Sequence, residues 1–138
     1  MNRDTILVIH EKSPFQDGLV KLIDLKFGHL FKVIKTETSK LQLYENGCVP
    51  KLIILEKVIN PKTVEFLIKM KNMGSKLILV TLDASEITEL ELNLFNAFLV
   101  KNMRTSEMLK VMEDLLDYKE SYVHPDFGDI FLKKLINA

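Results

Sequence analysis

Residues 50–64 read PKLIILEKVINPKTV. Leu52–Leu55 is a run of four apolar residues with no polar alternation. Strands covered by helices on both faces read this way, whereas half-exposed strands alternate. One carboxylate, Glu56, follows the run directly. Asn60 and Pro61 then form a helix start, a capping residue followed by a proline at the first helical position. Val64, Leu67, Ile68 and Lys71 follow along one side of the expected helix. A buried strand, a charged residue at its carboxyl end and a helix make half of a βαβ unit. Such units join parallel strands.

The same unit recurs on both sides. Continuous apolar runs lie at residues 6–9, 77–80 and 98–100, and a weaker one at 31–34, where Phe31 and Val33 alternate with Lys32 as in an edge strand. Before the first helix, Ser13 caps, Pro14 follows and Gln16 completes a capping box. Phe15, Leu19, Leu22 and Ile23 then recur at helical spacing. Residues 38–44 form a weaker helix stopped by Asn46 and Gly47. Residues 85–96 can form a fourth. Thr105 is the expected cap of a fifth, with Glu107 favourable in its first turn. Met108, Leu109, Met112, Leu115 and Leu116 are its stripe. Five strands alternating with five helices imply an α/β, doubly wound parallel sheet. Chemistry in such sheets sits at the carboxyl ends of the strands. That singles out His10, Glu11, Glu56, Thr81 and Lys101.

Composition narrows the function. Of 138 residues, 19 are basic and 19 acidic, so the formal net charge is zero. A surface that grips nucleic acid carries a basic excess, so direct nucleic-acid contact by this domain is not expected. No apolar run approaches the roughly 20 residues that cross a bilayer, and no signal-peptide pattern precedes the first strand. The single cysteine, Cys48, precludes an internal disulfide and follows Gly47 in a turn, with no activating neighbour. No glycine-rich nucleotide fingerprint occurs. A cytoplasmic protein is the expectation.

The carboxyl-end positions carry a family resemblance. ILVIHEKSPFQDGL (6–19) resembles the opening of a receiver domain of two-component response regulators: an apolar strand, an acidic pair, then a helix with Phe and Gly-Leu. PKLIILEKVINPKTV resembles the central segment with its phosphoacceptor. KLILVT (76–81) matches the strand that ends in Thr, and AFLVK (97–101) the strand that precedes Lys. TSEMLKVMEDLLDYKESYVHPD (105–126) resembles the last helix and the extension found in regulators with LuxR-type helix-turn-helix output. The resemblance implies a flavodoxin-like (CheY-like) sheet of order 2-1-3-4-5 with an extra C-terminal helix near 126–136. It also implies a receiver-like domain over 1–121, and at 122–138 an extension or the start of a linker to a DNA-binding output domain absent from this chain.

In the family, an aspartate after the third strand takes a phosphoryl group. That aspartate, two acidic residues after the first strand and a backbone carbonyl hold Mg²⁺. Here Glu56 stands at the phosphoacceptor position, and His10 and Glu11 at the acidic pair. Thr81 and Lys101 are retained, and Phe98 takes the aromatic switch position. Asn60 replaces the usual proline and Val64 the usual glycine. The added methylene of Glu56 displaces its carboxylate, and a misplacement of about 1 Å can cost about 100-fold in rate. An imidazole is a poor ligand for so hard a cation. No cofactor is therefore expected, and Mg²⁺ binding at this pocket is not.

Each residue also has a plainer reading. Lys101 either pairs with Glu56 or is solvated at a strand end, and pairing is favoured because a part-buried carboxylate without a partner is costly. Glu11 reads as a structural acceptor. His10 would need further His or Cys ligands, and His29 and His124 lie elsewhere. Thr81 reads equally as a structural cap or as a switch, and Phe98 as core or gate. The expected function is a pseudo-receiver, not an enzyme, that regulates and dimerises a transcription factor independently of phosphorylation. The expected homodimer uses either a face carrying Leu90, Leu94, Phe98 and Lys110 or the C-terminal helix. Alternatives are a conventional receiver phosphorylated on Glu56, a protein-binding adaptor and a small-molecule sensor.

Overall fold

The computed structural model describes residues 4–9, 14–44, 49–56, 61–82, 87, 89–117, 119 and 121–128. Six strands lie among them: β1 (Asp4–Ile9), β2 (Phe31–Thr36), β3 (Leu52–Leu55), β4 (Lys76–Thr81), β5 (Ala97–Val100) and β6 (Tyr122–Val123). They form one sheet of order β2-β1-β3-β4-β5-β6, parallel at every pairing. The expected order is present, with β2 at the edge. The sixth strand was not expected, because two residues are too few to show any periodicity.

Four α-helices are described: α1 (Pro14–Phe27), α2 (Pro61–Asn72), α3 (Glu89–Leu94) and α4 (Thr105–Asp117). Successive strand residues point to opposite faces. Leu7, Ile9, Ile53, Leu55, Leu77, Leu79, Phe98 and Val100 meet Phe66, Leu67 and Met70 of α2 and Leu94 of α3. Ile6, Val8, Leu52, Ile54, Ile78, Val80, Ala97 and Leu99 meet Leu19 and Ile23 of α1 and Met108, Val111, Met112 and Leu115 of α4. Both faces are covered, so β3, β4 and β5 carry no polar alternation.

Several details differ from expectation. Residues Thr38–Tyr44 form a 3₁₀ segment, not an α-helix. The α2 stripe is rotated by one position: Thr63, Phe66, Leu67 and Met70 are buried, while Val64 is half-buried and Ile68 exposed. The larger Phe66 and Met70 take the inward face. Leu22 of α1 is exposed, and Phe27 is buried instead. Thr105 lies inside α4, and Arg104 takes the capping position, its carbonyl accepting from the backbone N–H of Met108. The described part of the fourth expected helix is only α3. In the extension, Pro125–Phe127 is a 3₁₀ turn. The expected Ser13 cap, Asn46, Gly47, Cys48, Asn60 and residues 129–136 of the C-terminal helix lie outside the described residues.

Helix ends are closed by specific bonds. Gly74, at φ 108°, ends α2. The Ser75 N–H donates to the Met70 carbonyl and the Gly74 N–H to that of Lys71, which is the Schellman arrangement. Lys71 Nζ donates to the carbonyls of Asn93 and Leu94 at the end of α3, and its burial lowers its pKa from the usual lysine value. Lys76 Nζ donates to the carbonyls of Leu115 and Lys119, closing α4. No helix among the described residues is long and apolar enough to cross a membrane.

The α2 rotation is testable by urea unfolding. Phe66→Ala removes a side chain 1% exposed and is expected to cost about 3–5 kcal/mol. Ile68→Ala, at a site 43% exposed, should cost under about 1 kcal/mol. The reverse ranking would contradict the stripe.

Candidate functional site

The carboxyl rim of the sheet brings three of the expected residues together. Glu56 is the first residue past β3, Thr81 the last of β4, and Lys101 the first past β5. The Lys101 N–H donates to the Thr81 carbonyl at 2.8 Å, which continues the β4–β5 ladder one residue beyond the strand. Lys101 Nζ reaches back across the rim to Glu56 Oε2 at 2.9 Å. The expected pair is thus formed. Its side chains are 25% and 18% exposed for Lys101 and Glu56. Bulk water screens such a pair only in part.

A third group completes the arrangement. Lys101 Nζ lies 5.3 Å from the centroid of the Phe15 ring, within the range of a cation–π contact. Phe15 belongs to the first turn of α1, next to the carboxyl end of β1. The ammonium therefore contacts both a carboxylate just past β3 and a ring in the first turn of α1. Sequence reading assigned Phe15 only to a helical stripe. Its place directly after the N1 proline, at the rim end of the helix, is the signal that it faces the site.

Thr81 is 7% exposed, and its Oγ1 is buried with no hydrogen-bond partner among the described residues. A capping hydroxyl would bond backbone, so the plain cap reading lacks its bond. A buried hydroxyl left unpaired costs about 1–3 kcal/mol. Phe98 is 2% exposed. Its ring sits 6.2 Å from that of Phe95 and 5.8 Å from that of Phe127, measured between centroids. Phe127 is fully buried, and the expected C-terminal helix near 126–136 runs on into residues 129–136, which lie outside the described residues. So do His10 and Glu11. Of the residues expected on a dimer face, Leu90 and Lys110 are exposed, whereas Leu94 and Phe98 are buried within their own chain.

The fold is that of solved response-regulator receiver domains. A LuxR-family two-component response regulator from Aurantimonas sp. superposes with a TM-score of 0.72 at 12% identity, over 98% of this chain and 99% of that one. A LuxR-family DNA-binding response regulator from Silicibacter pomeroyi gives 0.67 at 16% identity, over 88% and 97%. The RcsB response regulator of Salmonella typhimurium gives 0.71 at 13% identity, over 99% and 69%. No protein-family model matches the chain, and no curated protein matches it significantly. At these identities the shared property is the fold.

A double-mutant cycle measures the ion pair. Glu56→Gln and Lys101→Ala are each expected to cost on the order of 1 kcal/mol in urea unfolding, with a coupling of about 0.5–1 kcal/mol. A coupling of zero would mean that the contact contributes nothing to stability.

Proposed function

We propose that this chain is a phosphorylation-independent pseudo-receiver, the regulatory and dimerisation domain of a cytoplasmic transcriptional response regulator. The observation that carries the reading is the 2.9 Å contact between Lys101 Nζ and Glu56 Oε2. In a working receiver of this fold, the lysine pairs with an incoming phosphoryl group. Here a carboxylate of the chain itself holds it. A phosphoryl group brings nearly two charges and three acceptor oxygens, so the glutamate is a partial and permanent substitute.

The donor set also departs from an Mg²⁺ site. A hard cation of this size needs carboxylate and carbonyl oxygens in octahedral array. The Glu56 carboxylate is engaged by an ammonium, and His10 stands where a carboxylate would be needed. No step through a metal is derived. The role is regulatory rather than catalytic. DNA contact would belong to an output domain, in keeping with the LuxR-family names of two structural neighbours. The chain's neutral balance fits a domain that does not itself grip nucleic acid.

One observation favours a second reading. The buried Thr81 hydroxyl, without a partner among the described residues, lies where a conventional receiver would use it to bind a phosphoryl oxygen. Under that reading Glu56 accepts phosphate despite its length.

Incubation with acetyl phosphate and Mg²⁺, followed by intact mass measurement, separates the two. The pseudo-receiver reading expects an unchanged mass, and a stable single adduct on Glu56 establishes the second. If Glu56→Asp then takes up phosphate, one methylene was the main obstacle and the His10 change was minor. Self-association is expected at micromolar concentration by light scattering. A monomer at high concentration removes dimerisation from the proposal.

A further inference from the structure

The segment after α4 re-enters the sheet in an unusual balance of forces. Among the described residues its ladder with β5 is two residue pairs long. The Tyr122 N–H donates to the Asn96 carbonyl and the His124 N–H to that of Phe98, each at 3.0 Å. Residues Tyr122 and Val123 face Ala97 and Phe98 across the ladder. Tyr122 is half-buried and Val123 40% exposed, so the strand itself buries little. The chain then tightens. His124 Nδ1 accepts the Asp126 N–H at 3.1 Å, and the Phe127 N–H closes on the His124 carbonyl at 3.0 Å. That turn delivers the Phe127 ring, fully buried, against Phe98. Phe98 belongs to β5, whose next residue past the strand is Lys101.

A short added strand secured by one pocketed aromatic side chain is how an extended peptide docks on a sheet edge. Elements with few backbone bonds and little buried surface open first, and do so locally. We propose that residues 122–127 form a latch. It docks as a unit, seals the edge of β5 and fixes the Phe98 ring inside the core. It opens as a unit while β1 to β5 stay folded. Opening frees the carbonyls of Asn96 and Phe98 and uncovers the Phe98 ring. The latch is independent of whether Glu56 carries a phosphoryl group.

The proposal is tested on the full chain by native-state amide hydrogen exchange over a series of low urea concentrations. In the wild type, the amides of Tyr122 and His124 are expected to exchange at least 10-fold faster than those of β3 and β4, with little dependence on urea. Phe127→Ala is expected to accelerate Tyr122 and His124 by a further 10-fold or more, relative to β3 and β4. His124→Pro keeps Phe127 and removes the bond to the Phe98 carbonyl, the cap and the imidazole's contact with the Asp126 carboxylate, and is expected to accelerate Tyr122 in the same way by a smaller factor. Exchange at Tyr122 and His124 with the rate and urea dependence of β3 and β4 would show an integral strand and overturn the latch. Equal acceleration of all amides in both variants, or failure of both to fold, would overturn it as well.

Discussion

Everything in this chain depends on covering a short parallel sheet on both faces. Four-residue strands such as β3 and β5 bury every side chain, and a parallel ladder has no solvated face to spare. The helices are placed by that need. Residues of one parity along each strand require α2 and α3, and those of the other parity require α1 and α4. Once the helices cover the faces, polar function has one place left, the rim where strands end and loops begin. Glu56, Thr81 and Lys101 meet there because their strands are adjacent and in register, with Thr81 beside Val100 and Leu55 beside Leu79.

This is also why the fold was legible and parts of the site were not. The runs at 6–9, 52–55, 77–80 and 98–100 announce buried strands without any homologue, since only double coverage removes alternation. Their order was expected from right-handed crossovers together with the family resemblance. The rim residues are found by position, each standing at the end of a run. Side-chain partnerships across the rim are harder to read. The Glu56–Lys101 pair was inferable from cost, because a carboxylate and an ammonium stand at the ends of β3 and β5, with only β4 between them. Phe15 was not, because a phenylalanine in an amphipathic helix reads as core wherever it points.

The errors have physical causes of the same kind. In α2 the sequence offers two overlapping stripes, and the larger apolar side chains Phe66 and Met70 win the inward face over Val64 and Ile68. Phe127 reads as the start of a helix near 126–136 because Ile130 and Phe131 follow it at plausible spacing, and nothing in the sequence marks Tyr122 and Val123 as a strand. Two residues of strand leave no periodic signal, and the open edge of β5 decides their conformation. An unpaired edge is a strong local demand for backbone partners, and sequence windows do not display it.

The Lys76 ammonium has a consequence for the order of folding. It sits at the start of β4, yet its acceptors, the carbonyls of Leu115 and Lys119, lie 39 and 43 residues later in the chain. Loop-closure entropy must be met before so distant a contact can form. Lys76 gains these partners only when α4 and the residues after it arrive. Where α4 docks onto a sheet already formed, loss of this bond should quicken unfolding while leaving the rate of folding nearly unchanged in a chevron measurement. One lysine thus acts as a clasp on the lifetime of the native state.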